Sequence, residues 1–153
     1  QLRKRASLSS SSLSVVSELK SGSAWYVPGG CSTIGRLFND ACGRYAFAED
    51  KHSGSIPLAF ETVFDKAGDA DVWTIKYNRD RDMTYSDLKA DYIGYTGFKA
   101  FKTRNIYGCN TAKVPFYEET PFRPDYLLSD LIQILHPEIG DLGGLRYFCK
   151  LNE

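Results

Sequence analysis

No stretch of this 153-residue sequence is apolar for long enough to cross a bilayer, which takes about 20 residues. Net charge is absent too, since 19 Lys and Arg balance 19 Asp and Glu. Without a positive field the chain has little to gather polyanions, so no nucleic-acid partner is expected. The four cysteines (Cys31, Cys42, Cys109, Cys149) lack C-x-x-C spacing, which excludes a zinc knuckle or thioredoxin-like motif. Their even count leaves three disulfide pairings open, beside four small buried thiols. His52 and His136 lie far apart, and no Ser/His/Asp order or nucleophile elbow accompanies them. Gly29-Gly30 is followed by Gly35 rather than by a G-x-G-x-x-G or P-loop pattern. These absences leave no catalytic residue, cofactor or metal site to name, and a non-enzyme is expected.

What the sequence does have is aromatic surface. Ten Tyr, nine Phe and two Trp make 14% of the chain, enough to fill a core and leave rings for ligands or partners. Among Trp25, Tyr26, Trp73, Tyr77, Phe116 and Tyr117, about half are expected in the core and the rest around a pocket. The length suits one ordinary domain. The basic start Gln1-Leu2-Arg3-Lys4-Arg5 has no apolar run behind it, so no signal peptide is expected in this chain. Residues 6–12 are serine-rich and read as flexible.

Apolar periodicity sets out the remainder. Strands are predicted at 13–18, 24–27, 45–48, 71–75, 105–107 and 145–151, the last at a sheet edge. Gly108 is expected to end its strand. Helices are predicted at 32–41, 60–67, 85–90 and 124–135, with 49–55, 77–82 and 114–121 as loops. Ser32 or Thr33 serves as N-cap and Gly43 as C-cap of the first helix, and Thr84 caps the third. Leu127, Leu128, Leu131, Ile134 and Leu135 line one face of the last, which Pro124 opens and Pro137 stops. His136 follows it, where a cation suits the helix dipole. Alternating strands and helices predict an α/β fold, a three-layer Rossmann-like arrangement with a mostly parallel central sheet flanked by helices. Ligands of such sheets bind where strand ends meet loops. The turn from Val27 to Ser32 lies between a strand and a helix N-terminus. It is read either as a plain turn or as backbone laid open to a ligand. Glu118 and Glu119 are expected in a solvated loop.

Four blocks carry a resemblance. They are W-Y-V-P-G-G at 25–30, G-S-I-P-L-A-F-E at 54–61, A-D-V-W at 70–73 and F-R-P-D-Y-L-L-S-D-L-I-Q-I-L-H-P-E at 122–138. In order and spacing they resemble the iron-complex (siderophore)/cobalamin class of substrate-binding proteins of ABC transporters, over roughly residues 13–151. The resemblance implies one lobe of a two-lobe periplasmic-binding-protein fold, here the C-terminal lobe at 13–153. It makes residues 1–12 a flexible remnant of the inter-lobe linker, with the N-terminal lobe missing. It implies capture of an iron chelate, cobalamin or haem-like ligand in a cleft, and delivery to an ABC permease at the cell envelope. By position it makes Trp25, Tyr26, Gly29, Gly30, Ser32, Tyr77, Asn78, Tyr117 and Arg123 ligand-binding residues. Arg123 either pairs with a carboxylate of the chelate or orients the helix start. Glu61 matches the glutamate that meets arginines of the permease. The loop at 79–82 (Arg-Asp-Arg-Asp) is more charged than the family pattern. Two other readings stand beside this one: a stand-alone α/β small-molecule-binding or enzymatic domain, and a truncated remnant that binds nothing.

Overall fold

A computed structural model describes residues 1–8, 13–140 and 142–153. Helix α1 (Leu2–Ser7) opens the chain where composition predicted flexibility. It is held because Ala6 is buried, at 1% exposure, against the last long helix. Residues 9–12 of the expected flexible remnant lie outside the described residues. Strand β1 (Ser14–Ser17) carries the buried pair Val15-Val16. Strands β2 (Lys20–Ser21) and β3 (Ala24–Pro28) flank a turn in which Gly22 adopts φ +60°. Helix α2 (Thr33–Asp40) starts at Ser32, whose Oγ accepts the Gly35 N–H at 3.0 Å.

The end of α2 differs from expectation. Cys42, not Gly43, takes the left-handed position at φ 57°. The Cys42 N–H reaches Asn39 O and the Gly43 N–H reaches Phe38 O, both at 2.9 Å, which closes a Schellman turn. Gly43 is needed for space instead, since a Cβ there would press on Leu135.

Strands β4 (Arg44–Tyr45) and β5 (Ser55–Leu58), helix α3 (Phe60–Ala67) and strand β6 (Val72–Tyr77) follow. Helix α4 (Tyr85–Asp91) begins with a capping box between Thr84 and Asp87. A 3₁₀ turn (Ile93–Gly97) and helix α5 (Lys99–Lys102) lead into strand β7 (Ile106–Asn110). The short helix α6 (Phe116–Glu119) lies inside the predicted loop 114–121, and α7 (Pro124–Leu135) has the predicted bounds. Strand β8 (Cys149–Lys150) closes the chain.

The central sheet has the order β4-β1-β6-β7-β8, parallel except for β8, which pairs antiparallel at the edge. Strand β7 continues through Gly108 rather than ending there. A glycine fits because Leu151 and the Tyr77 ring crowd the place of its missing Cβ. The two faces of the sheet are filled differently. Thr74 faces Phe38 of α2 and Leu127 and Leu131 of α7. Trp73, one residue earlier and so on the opposite face, meets Tyr95 and Phe98 at 5.3 and 4.9 Å between ring centres. The architecture is therefore the three-layer one expected. A second sheet, β2-β3-β5, is antiparallel and was not predicted. Pro57 interrupts the period of β5, so its sequence gives no strand signal. All four cysteines are free thiols, and only Cys109 is buried, so four buried thiols are not found. Burial pushes the Cys109 thiol up to about 12.

Candidate functional site

The C-terminal ends of β1 and β6 open into a groove of about 430 Å³. Tyr26 of β3, the first turn of α2 (Ser32, Thr33, Ile34) and the loop 53–55 form its walls. Glu18, the residue after β1, and Lys76, the last but one of β6, form its floor. Lys76 Nζ lies 3.1 Å from Glu18 Oε1, with both side chains about one-fifth exposed. The same ammonium sits 5.2 Å from the Phe116 ring centre and 6.0 Å from that of Tyr117.

The backbone beneath is held in an unusual conformation. Glu18 has φ 75°, a region non-glycine residues seldom occupy and which costs about 1–3 kcal/mol. Its N–H donates to Thr74 O at 2.9 Å. The Trp73 indole N–H donates to Glu18 O at 2.9 Å, and the Trp25 indole N–H to Ser17 O at 3.0 Å. Tyr95 Oη accepts the Lys20 N–H at 2.9 Å. The core aromatics thus clamp the chain from Ser17 to Lys20 at the groove floor.

The predicted ligand residues separate into three groups. Tyr26 is 49% exposed and lines the groove, Ser32 borders it, and exposed Tyr117 stands beside Lys76. Trp25 is corrected: it is 0% exposed, stacked on Trp73 at 5.8 Å, and its one polar group is already used, so it offers a ligand no surface. Gly29 and Gly30 serve close packing. A Cβ on Gly29 would collide with His52 O, and one on Gly30 with Ala48 O and Asp50 O. The Gly29 and Cys31 N–H groups are engaged by Gly54 O and His52 O in the same seam. Ser32 Oγ donates to Gly29 O at 2.6 Å while it caps α2.

Tyr77, Asn78 and Arg123 sit apart from the groove. Tyr77 Oη accepts the Met83 N–H at 3.0 Å, and burial raises its phenol. Asn78 is exposed at the start of a loop that Asn110 stitches down through Arg79 N, Arg79 O and Arg81 O. Arg123 forks onto Asp125 at 2.9 and 2.7 Å and donates to Tyr126 Oη at 2.6 Å, which is the helix-start role. Glu61 is exposed in the first turn of α3. Among the described residues no group of three His, Cys, Asp or Glu is placed to hold a metal ion, and no helix is long and apolar enough to cross a membrane. His136 is fully buried, with Nε2 2.6 Å from Ala41 O, so it ties α7 to the end of α2 rather than serving as a surface cation.

Glu18 and Lys76 were not singled out from the sequence. The available signal was a charge placed directly after an uncharged run in Val15-Val16-Ser17-Glu18 and again in Val72-Trp73-Thr74-Ile75-Lys76.

The sequence profile of the periplasmic binding protein family matches residues 2–112, and the chain belongs to that family. It is 31% identical over 128 residues to the uncharacterized lipoprotein MJ0878 of Methanocaldococcus jannaschii, covering 83% of this chain and 30% of that protein. Its fold is similar to the TroA-like periplasmic binding protein FepB from Veillonella parvula, with a TM-score of 0.69 at 14% identity. That match takes in 99% of this chain and 52% of the other. It is also similar to S. aureus IsdE, solved complexed with heme, with a TM-score of 0.61 at 17% identity over 88% of this chain and 52% of the other. The chain therefore spans about half the length of these solved proteins and under a third of the archaeal lipoprotein.

Proposed function

We propose that this chain is the C-terminal lobe of an extracytoplasmic binding protein that captures a solute for uptake by an ABC transporter. The reading is non-catalytic. The observation that carries it is the groove at the C-terminal ends of β1 and β6, walled by Tyr26 and the first turn of α2 and floored by Glu18 and Lys76. The family supports solute binding, and the name of the archaeal relative supports a place at the cell envelope. The solute is an iron chelate, with cobalamin or haem-like molecules as the other members of the class. The ligand would lie against Tyr26 and Tyr117, and a second lobe would supply the facing wall. Ligand binding to the protein as its gene encodes it, followed by quenching of Trp25 and Trp73 fluorescence, tests this. A ferric siderophore or haemin binding at about 1 µM or tighter (about −8 kcal/mol) is expected. Absence of binding to ferric chelates, cobalamin and haemin alike would count against the reading.

Glu61 is proposed as the contact to the permease. It is exposed, stands in the first turn of α3, and makes no ion pair among the described residues. Glu61→Ala is expected to leave ligand affinity unchanged and to lower transporter-dependent uptake. Unchanged uptake would remove Glu61 from the interface.

A further inference from the structure

The Glu18–Lys76 pair is not arranged like an ordinary surface ion pair. Among the described residues lining the groove, Lys76 is the sole cation and Glu18 the sole anion. Both side chains are about one-fifth exposed, so salt screens the pair less than an exposed one. Glu18 is held there by a strained backbone that two indole N–H groups clamp from below. Among the described residues its other side-chain hydrogen bond comes from Ser17 Oγ, at a long 3.3 Å. Lys76 has aromatic rings on one side, Phe116 and Tyr117, and the groove on the other. The N-terminal turn of α2, which lines the same groove, adds a positive end of a helix dipole.

We infer that Lys76 is the anchor for an anionic oxygen of the ligand and that Glu18 is the resident counter-ion this oxygen displaces. The inference rests on the capture reading above and narrows its ligand to an oxygen-rich anion, such as a catecholate or carboxylate chelate. An incoming anionic oxygen replaces the Glu18 carboxylate on the ammonium and is reinforced by the helix N-terminus. Glu18 then turns toward the water of the groove. Before capture it keeps Lys76 from standing desolvated and uncompensated, a state that costs far more than a paired charge. Ligand and Glu18 thus compete for one cation, which gives the two residues opposite effects on affinity.

The test uses two ferric probes of similar size on the protein as its gene encodes it: an anionic ferric tris-catecholate and a neutral ferric tris-hydroxamate. Lys76→Met keeps the aliphatic stem and is expected to weaken catecholate binding by about tenfold or more, the worth of one charge-assisted hydrogen bond. Binding of the hydroxamate should change little. Glu18→Gln is expected to strengthen catecholate binding several-fold, because the competitor has lost its charge. Far-UV circular dichroism and a melting curve on each variant confirm that it folds. Weakening by both variants, or no effect of either on a protein that binds the catecholate, overturns the inference and leaves the capture reading standing. A folded wild-type protein that binds neither probe, nor cobalamin, nor haemin, overturns the capture reading itself.

Discussion

Asp71 and Glu18 are both carboxylates at strand ends of one sheet, yet their surroundings are opposite. Asp71 precedes β6. It accepts from Ser14 N and Ser14 Oγ at 3.0 and 3.1 Å, from Lys99 Nζ at 2.6 Å, and lies 3.5 Å from Arg44. Glu18 follows β1 and, among the described residues, meets the Lys76 ammonium, a distant Ser17 hydroxyl and an open groove. Asp130 repeats the closed pattern on α7. It is 1% exposed and accepts the N–H groups of Arg146, Tyr147 and Phe148 at 2.8, 2.8 and 3.1 Å. A carboxylate that accepts three hydrogen bonds holds the fold together, whereas one with fewer at the C-terminal end of a parallel sheet is placed to exchange partners.

Substitutions can break this contrast, and the largest effect is expected beneath the open end. Trp25→Ala removes a fully buried ring that packs on Trp73 and frees the Ser17 carbonyl. A loss of about 3–5 kcal/mol is expected in urea unfolding. Trp25→Phe should recover most of that stability, and a deficit of its own in ligand binding would show that the indole N–H positions the groove floor. Next comes Asp130→Asn, which puts an N–H₂ where backbone N–H groups need an acceptor. About 3 kcal/mol should be lost, with the 146–148 segment first to gain hydrogen exchange.

Asp71 sharpens the comparison through pH. The Lys99 ammonium foremost holds its carboxyl below the ordinary value of 3.8; burial, next in size, opposes it, and the two Ser14 hydrogen bonds add to the lowering. A lowered acid pKa adds stability that is complete above the unfolded value and is lost as pH falls through the folded one. The stability difference between wild type and Asp71→Asn should therefore shrink below about pH 4. A difference that stays constant down to acid unfolding would remove the charge from the account. The smallest effect is expected at Arg123→Ala. The Arg123–Asp125 pair is half exposed, and such pairs contribute little. No measurable change in melting temperature or chelate affinity is expected, and a clear loss of affinity would return Arg123 to the ligand.

Legibility followed the range of the interactions. Helices α3 and α7 were readable to the residue because apolar spacing and, for α7, Pro124 act within one or two turns. The strand β5 was not, because its identity comes from β3 across the sheet, with Tyr26 facing Pro57 and Val27 facing Ile56. The same holds for the site. Tyr26, Ser32, Tyr117 and Trp25 were all marked by position, but position along β3 does not tell a wall from a foundation, and Trp25 is buried beside the exposed Tyr26.

By itself the sequence determined the class of fold, the alternation of strands and helices, the caps at Ser32 and Thr84, and the lack of any metal or nucleophile pattern. Those features depend on local periodicity and on residue types that act over a few positions. Tertiary structure alone decided that Glu18 meets Lys76, 58 positions apart by their numbers, and that two tryptophans hold Glu18 in place from below. Pairing of β1 with β6 brings those strand ends together, and register between distant strands is set by the packing of the whole core.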